Sequence, residues 1–183
     1  MEGTLDEALV VTVLRHAEDF PWRMQEIGLL GLRLDDQRTY RLHVWDPSER
    51  AGEPPIHDHP YHFMSRVIAG EITNTRYEED PAGDEYVRFR YSPGAEDARR
   101  SDAVRLSAAA TTFTAGDEYR QVAHELHASS QVPGTVTVIQ CSWVEVPELT
   151  VCLRDAASWC SGRARDATRD EIKRMTAKAL EWF

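Results

Sequence analysis

The chain has 183 residues, 42% of them hydrophobic, with 31 acidic residues against 21 basic ones and a formal net charge of −10. That length fits one domain with a real core. The charge argues against nucleic-acid binding, which needs a basic footprint. No apolar run reaches the roughly 20 residues that span a bilayer, so no membrane is expected as a partner. The first residues, Met1-Glu2-Gly3-Thr4-Leu5-Asp6-Glu7, are acidic and lack the basic start of a signal peptide. The three cysteines, Cys141, Cys152 and Cys160, are too sparse and too widely spaced for a zinc knuckle. They read as reduced thiols of a cytoplasmic protein.

Residues 5–20 carry Leu5, Leu9, Val10, Val13, Leu14 and Ala17 at helical spacing, with Thr4 and Glu7 placed as a cap. A second short helix is expected over Trp22–Ile27, with Pro21 at its start. From Leu29 the pattern becomes β. Leu29–Leu34 and Thr39–Trp45 flank a hairpin turn at Asp35–Arg38, and Asp46–Pro55 is a loop rich in Pro, Gly and Glu. Strands are expected over His57–Ile68, Ile72–Glu78, Tyr86–Tyr91, Val104–Leu106, Thr111–Thr114 and Thr135–Val146, with Ser92–Asp102 an exposed loop. Thr168 followed by Glu171 is a capping-box signature for a terminal helix bearing Ile172, Met175, Ala179 and Leu180. The fold class is therefore mainly β. We read one domain over 1–183: a helical segment over 1–28, a closed antiparallel barrel or double-sheet roll over 29–150, and a helical segment over 151–183.

Five of the seven histidines fall in two short windows, His57-Asp58-His59-Pro60-Tyr61-His62 and His124-Glu125-Leu126-His127. His57 and His59 share a face of an extended strand. A third imidazole from a distant strand would complete a metal site with open positions. Within the second window a spacing of three lets only one histidine point inward from a strand.

The two windows resemble the two motifs of the cupin superfamily. His57-x-His59 is followed by three residues, Phe63, six residues and Gly70; Gly116 is followed by five residues, Val122-Ala123-His124, two residues, His127, three residues and Gln131. The resemblance implies a double-stranded β-helix (a cupin jelly roll) and metal ligands His57, His59 and His127, with His124 the alternative third ligand. Phe63 stands where the usual glutamate ligand would be, which resembles the three-histidine thiol dioxygenases such as cysteine dioxygenase. The strand Val136–Val144 has neither the His nor the Tyr that those enzymes carry there, and Phe63 is not the cysteine some of them cross-link.

On this resemblance the leading function is an iron(II)-dependent oxygenase of a small anionic substrate, with molecular oxygen as its partner. Zn, Ni, Mn or Co also suit three imidazoles. The catalytic candidates are His62, Tyr61 and Glu125; the substrate-binding candidates are Arg33, Arg41 and Gln140, the last placed inward on the face of Val136 and Val138. Tyr119 is a candidate for the cavity mouth, and Asp58 reads as structural. A non-redox isomerase, lyase or hydrolase, and a binding cupin without chemistry, are the other two readings. The resemblance also implies a possible homodimer.

Overall fold

The computed structural model describes residues 7–50, 53–92, 99–144, 148–154 and 164–183. Cys160, Thr4 and Leu5 lie outside them, as do the interior of the loop expected over Ser92–Asp102 and the last residues of the strand expected over Thr135–Val146. Chain order runs α1 (Glu7–Arg15), a 3-10 turn (Ala17–Asp19), β1 (Arg23–Gln25), β2 (Leu29–Arg33) and β3 (Tyr40–Trp45). It continues through β4 (Ile56–His57), β5 (Tyr61–Ala69), β6 (Glu71–Tyr91), β7 (Arg99–Thr114), β8 (Glu118–Gln121), β9 (Leu126–Gln131) and β10 (Thr135–Trp143). It closes with β11 (Leu149–Leu153), β12 (Arg165–Asp166) and α2 (Arg169–Leu180).

The strands form two antiparallel sheets, ordered β12-β1-β2-β3-β10-β5-β8 and β11-β4-β9-β6-β7. Eight of them pair in a nested way: β6 with β7, β5 with β8, β4 with β9, and β3 with β10. A single long hairpin rolled about its own tip gives that nesting, with alternate pairs falling in opposite sheets. This is the jelly roll expected from the strand-rich sequence and its framing helices. Gly70 makes the β5–β6 turn at φ 79°, where a Cβ would come 2.9 Å from Thr135 Cα, so only glycine fits.

The two long helices pack on the outside of the first sheet. Val10, Val13 and Leu14 of α1 and Ile172, Met175 and Ala179 of α2 share one aliphatic cluster with Leu30, Leu32, Leu42, Val44, Val136 and Val138. The expected capping box closes α2: the Thr168 hydroxyl accepts from Glu171 N, and the Glu171 carboxylate accepts from Thr168 N at 2.8 Å.

Several sequence expectations are corrected. Trp22–Ile27 contains strand β1 rather than a helix. Trp22 and Met24 are buried while Arg23 between them is exposed, a period of two that a six-residue stretch hides, and pairing with β2 and β12 decides it. The strands expected at Ile72–Glu78 and Tyr86–Tyr91 are halves of one strand, β6. An irregularity between Glu79 and Asp84 absorbs Asp80-Pro81-Ala82-Gly83, the kind of place where a strand tolerates proline. Val104–Leu106 and Thr111–Thr114 are likewise parts of β7, which begins at Arg99, inside the segment expected to be loop. The segment expected to be helical over 151–183 holds the end of β11 and all of β12 as well as its helix. Conversely, His57–Ile68 is broken: β4 lies in one sheet and β5 in the other, with Asp58-His59-Pro60 crossing between them.

Candidate metal centre

That crossing builds the site. Asp58 pins it to β11 by donating its backbone N–H to Thr150 O (3.1 Å) while its carboxylate accepts from Thr150 N (2.8 Å). His57 is paired in register with His127 on β9, and residues directly opposite one another present side chains to the same face. His59 arrives from the crossing itself. The three imidazoles bring one ligand atom each to within 4.8 Å of one another, the one such histidine, cysteine or carboxylate trio among the described residues. Ring centroids lie 4.7, 4.8 and 5.0 Å apart, and His59 Nε2 is 2.9 Å from His127 Nε2.

Two of the rings are oriented from behind. His57 Nδ1 lies 3.0 Å from the carbonyl of Pro55; a carbonyl only accepts, so Nδ1 carries the proton and Nε2 is the free lone pair. Behind His127 runs a longer chain: Nδ1 to Asn74 Oδ1 (2.7 Å), Asn74 Nδ2 to Gln121 Oε1 (3.2 Å), and Gln121 Nε2 to Glu125 Oε2 (3.2 Å). A carboxylate only accepts. Gln121 must therefore donate to it from its amide nitrogen, turn its oxygen to Asn74, and leave Asn74 with its own oxygen toward His127. The polarity set by Glu125 thus protonates His127 at Nδ1 and bares Nε2. Asn74 and Gln121 are only 3% and 1% exposed, so water does not compete for these bonds.

Burial lowers the pKa of all three imidazoles, with the neighbouring charged imidazoles adding to the effect at His59 and His127, where it falls well below the ordinary value. Neutral imidazoles with bare nitrogens are the form that binds a metal. One donor pair, His59 Nε2 and His127 Nε2 at 2.9 Å, already stands at the separation of two neighbouring ligands roughly 2.1 Å from one ion. The residues present therefore suit a divalent ion of the imidazole-binding group.

The trio faces a cavity of about 90 Å³, small against the several hundred Å³ of a pocket for a drug-sized ligand. Phe63 stands edge-on to His59 at 5.4 Å and 82°. Tyr61 stacks on His59 at 4.8 Å and 24°, and burial pushes its phenol up to about 12. Arg41 enters from β3. Its Nη1 donates to the Tyr61 hydroxyl at 3.3 Å, its guanidinium lies over the Tyr61 and Trp143 rings, and its buried Nε has no protein partner.

Of the residues singled out from the sequence, His57, His59, His127, Tyr61, Phe63, Arg41 and Tyr119 line this cavity together. The others do not reach it. His124 sits on a turn at φ 69°, half exposed, with Nδ1 3.9 Å from Asp58 Oδ2, outside the cluster. His62 is exposed on the opposite face of β5, where Nδ1 accepts from Ala123 N at 3.1 Å. Glu125 caps Val122 N and ends the chain behind His127 rather than meeting a substrate. Arg33 is exposed at the end of β2.

Gln140 is exposed on the outer face of β10. There Val136 and Val138 face the helices, and it is Thr137 and Ile139 that line the cavity. The first sheet is buried on both faces, so alternating hydrophobicity could not tell inside from outside.

Sequence reasoning missed Asn74, Gln121 and His43. Asn74 had a signal, since it shares the buried strand face of Ile72, where asparagine is otherwise disfavoured.

No family model matches the chain, and no curated protein does. Among solved structures, a cupin-like protein from Thermotoga maritima is similar over 80% of this chain and 84% of its own. The identity is 10% and the TM-score 0.27, too remote to carry any argument. The strand nesting and the histidine trio stand on this chain's own geometry. Among the described residues no helix is long and apolar enough to cross a membrane.

Proposed function

We propose that the protein is a mononuclear metal enzyme of the cupin type, an iron(II)-dependent oxygenase acting on a small anionic molecule. The observation that carries this reading is the convergence of three neutral imidazoles, without a carboxylate, in a small, partly enclosed cavity that also holds a guanidinium. His57, His59 and His127 would hold a divalent ion, which would supply Lewis-acid and redox chemistry and, with no anionic protein ligand, would keep its full positive charge.

The remaining work falls to the chain's own residues. Arg41 holds the anionic end of the substrate, its guanidinium steadied by the Tyr61 hydroxyl and by the Tyr61 and Trp143 rings. Tyr61 keeps its proton throughout the working pH range and so serves as a hydrogen-bond group, not as a base. Phe63, Tyr61 and Ile139 keep the wall dry, which strengthens the attraction between Arg41 and an anion. The cavity volume restricts the substrate to a few heavy atoms.

The test is elemental analysis of protein purified without chelators or a polyhistidine tag, beside His127→Ala. Near-stoichiometric iron that disappears in the variant, with oxygen uptake on adding small thiols or enols, is the expected result. Zinc, nickel or manganese lost in the same way would move the chemistry to Lewis-acid catalysis. Absence of metal in the wild-type protein would overturn the reading.

A further inference from the structure

His43 lines the same cavity but belongs neither to the histidine trio nor to the chain behind His127. It is 8% exposed, on β3 between Arg41 and Trp45, and all three of these alternating residues point into the roll. Its ring is fixed on several sides. Trp45 meets it edge-on at 5.7 Å and 86°, and the Trp45 indole is itself held by Thr137 Oγ1 at 3.1 Å. Thr137 and Gly31 are its register partners on β10 and β2, and Gly31 offers no side chain to fill the space beside the ring.

Neither ring nitrogen of His43 has a hydrogen-bond partner among the described residues. Its nitrogens are not among the fully buried unpartnered atoms, so they open on the cavity that the ring lines, and the cavity contents are the partner left to them. Burial, with the Arg41 charge adding to it, holds the pKa of His43 down at about 3. The ring is therefore neutral, with one N–H to donate and one nitrogen to accept.

We propose that His43 is a substrate-contacting residue that hydrogen-bonds the far end of a small bifunctional anion whose near end sits at the histidine trio. The proposal rests on the metal-centre reading above. It deepens that reading by naming the ligand class: a molecule of a few heavy atoms with a metal-binding heteroatom at one end and an acceptor such as a carboxylate at the other. Arg41 supplies charge to that acceptor; His43, two residues along the same strand face, supplies direction.

The test uses cobalt(II)-loaded full-length protein titrated with mercaptoacetate, followed by its visible absorption. Ethanethiol, which lacks the carboxylate, is the second probe. Wild type is compared with His43→Gln, which keeps a neutral hydrogen-bonding group, and with His43→Phe, which keeps bulk alone. Cobalt content is measured for each.

We expect equal cobalt loading, mercaptoacetate affinity reduced about tenfold or more in His43→Phe and partly restored in His43→Gln, and ethanethiol binding unchanged. Mercaptoacetate binding that ignores both substitutions overturns the proposal. So does an equal loss of both probes, which would mean that His43 only shapes the cavity, and so does wild-type cobalt protein that fails to bind mercaptoacetate. Wild-type protein that takes up no cobalt overturns the metal reading itself, and this proposal with it.

Discussion

The two faces of the first sheet are built from opposite chemistries. The outer face, under α1 and α2, is an aliphatic layer of Leu30, Leu32, Leu42, Val44, Val136 and Val138. The inner face of the same strands carries Arg41, His43, Trp45, Thr137 and Ile139 around the histidine trio. In β3 the two alternate residue by residue. Apolar packing is thus concentrated on one side of a single layer of backbone and the candidate site on the other. The inner face can hold polar side chains with unmet hydrogen-bonding capacity because the outer face buries enough apolar surface to compensate.

That division can be broken from either side. The largest expected effect is Leu42→Ala, which opens a cavity in the aliphatic layer and costs about 2–5 kcal/mol in urea unfolding. Metal stoichiometry of the folded fraction should stay unchanged; a parallel loss of metal would show that the two faces are coupled. Next comes Glu125→Ala, on the inner side. With the carboxylate gone nothing fixes the polarity of the Gln121–Asn74 chain, and metal affinity should fall about ten- to a hundredfold with little change in unfolding midpoint. Glu125→Gln, which can present either a donor or an acceptor, should fall between the two. Competition against a chelator measures both, and affinity equal to wild type in Glu125→Ala would sink the tautomer argument.

The buried, neutral His43 ties the inner face to acid stability. Its pKa is about 3 in the folded chain against an ordinary 6.5, so the unfolded chain binds more protons between those values. Stability must then fall as pH drops through 6.5 toward 3. His43→Phe removes that contribution, so the stability difference between wild type and variant should shift by about 2 kcal/mol in the variant's favour from pH 7 to pH 5. A constant difference across that range would mean that His43 is not neutral for the reason given. The smallest effect belongs to Thr168→Ala, which removes half of the capping box on α2. It should cost about 1 kcal/mol and leave metal binding alone.

Much of the molecule was legible in the sequence because its signals are local. The hairpin of β2 and β3 showed in two runs flanking Asp35–Arg38, and the capping box in Thr168 and Glu171. The motif windows singled out His57, His59 and His127, which the fold then brings together. Spacing singled out the three histidines that the fold brings together, even though its basis was only partly a shared strand face: His59 sits on the crossing between sheets, not on β4. Where local signals were weak or contradictory, pairing decided. Trp22–Ile27 was too short to reveal its period, and the turn-like Asp80-Pro81-Ala82-Gly83 was overruled by the long partner β7.

The sequence by itself determined the class of fold and which histidines could share a metal, because alternation, caps and motif spacing act over a few residues. Only the tertiary structure decided which face of each strand is the inside. It moved Gln140 out and Thr137 in, put His43 in the cavity, and joined Asn74, Gln121 and Glu125 into one chain behind His127. Alternation along β3 separates an aliphatic face from a polar one, but only the packing of the helices on the aliphatic face makes the polar face the inside. Which residues end up opposite one another is set by sheet pairing between segments far apart in the chain.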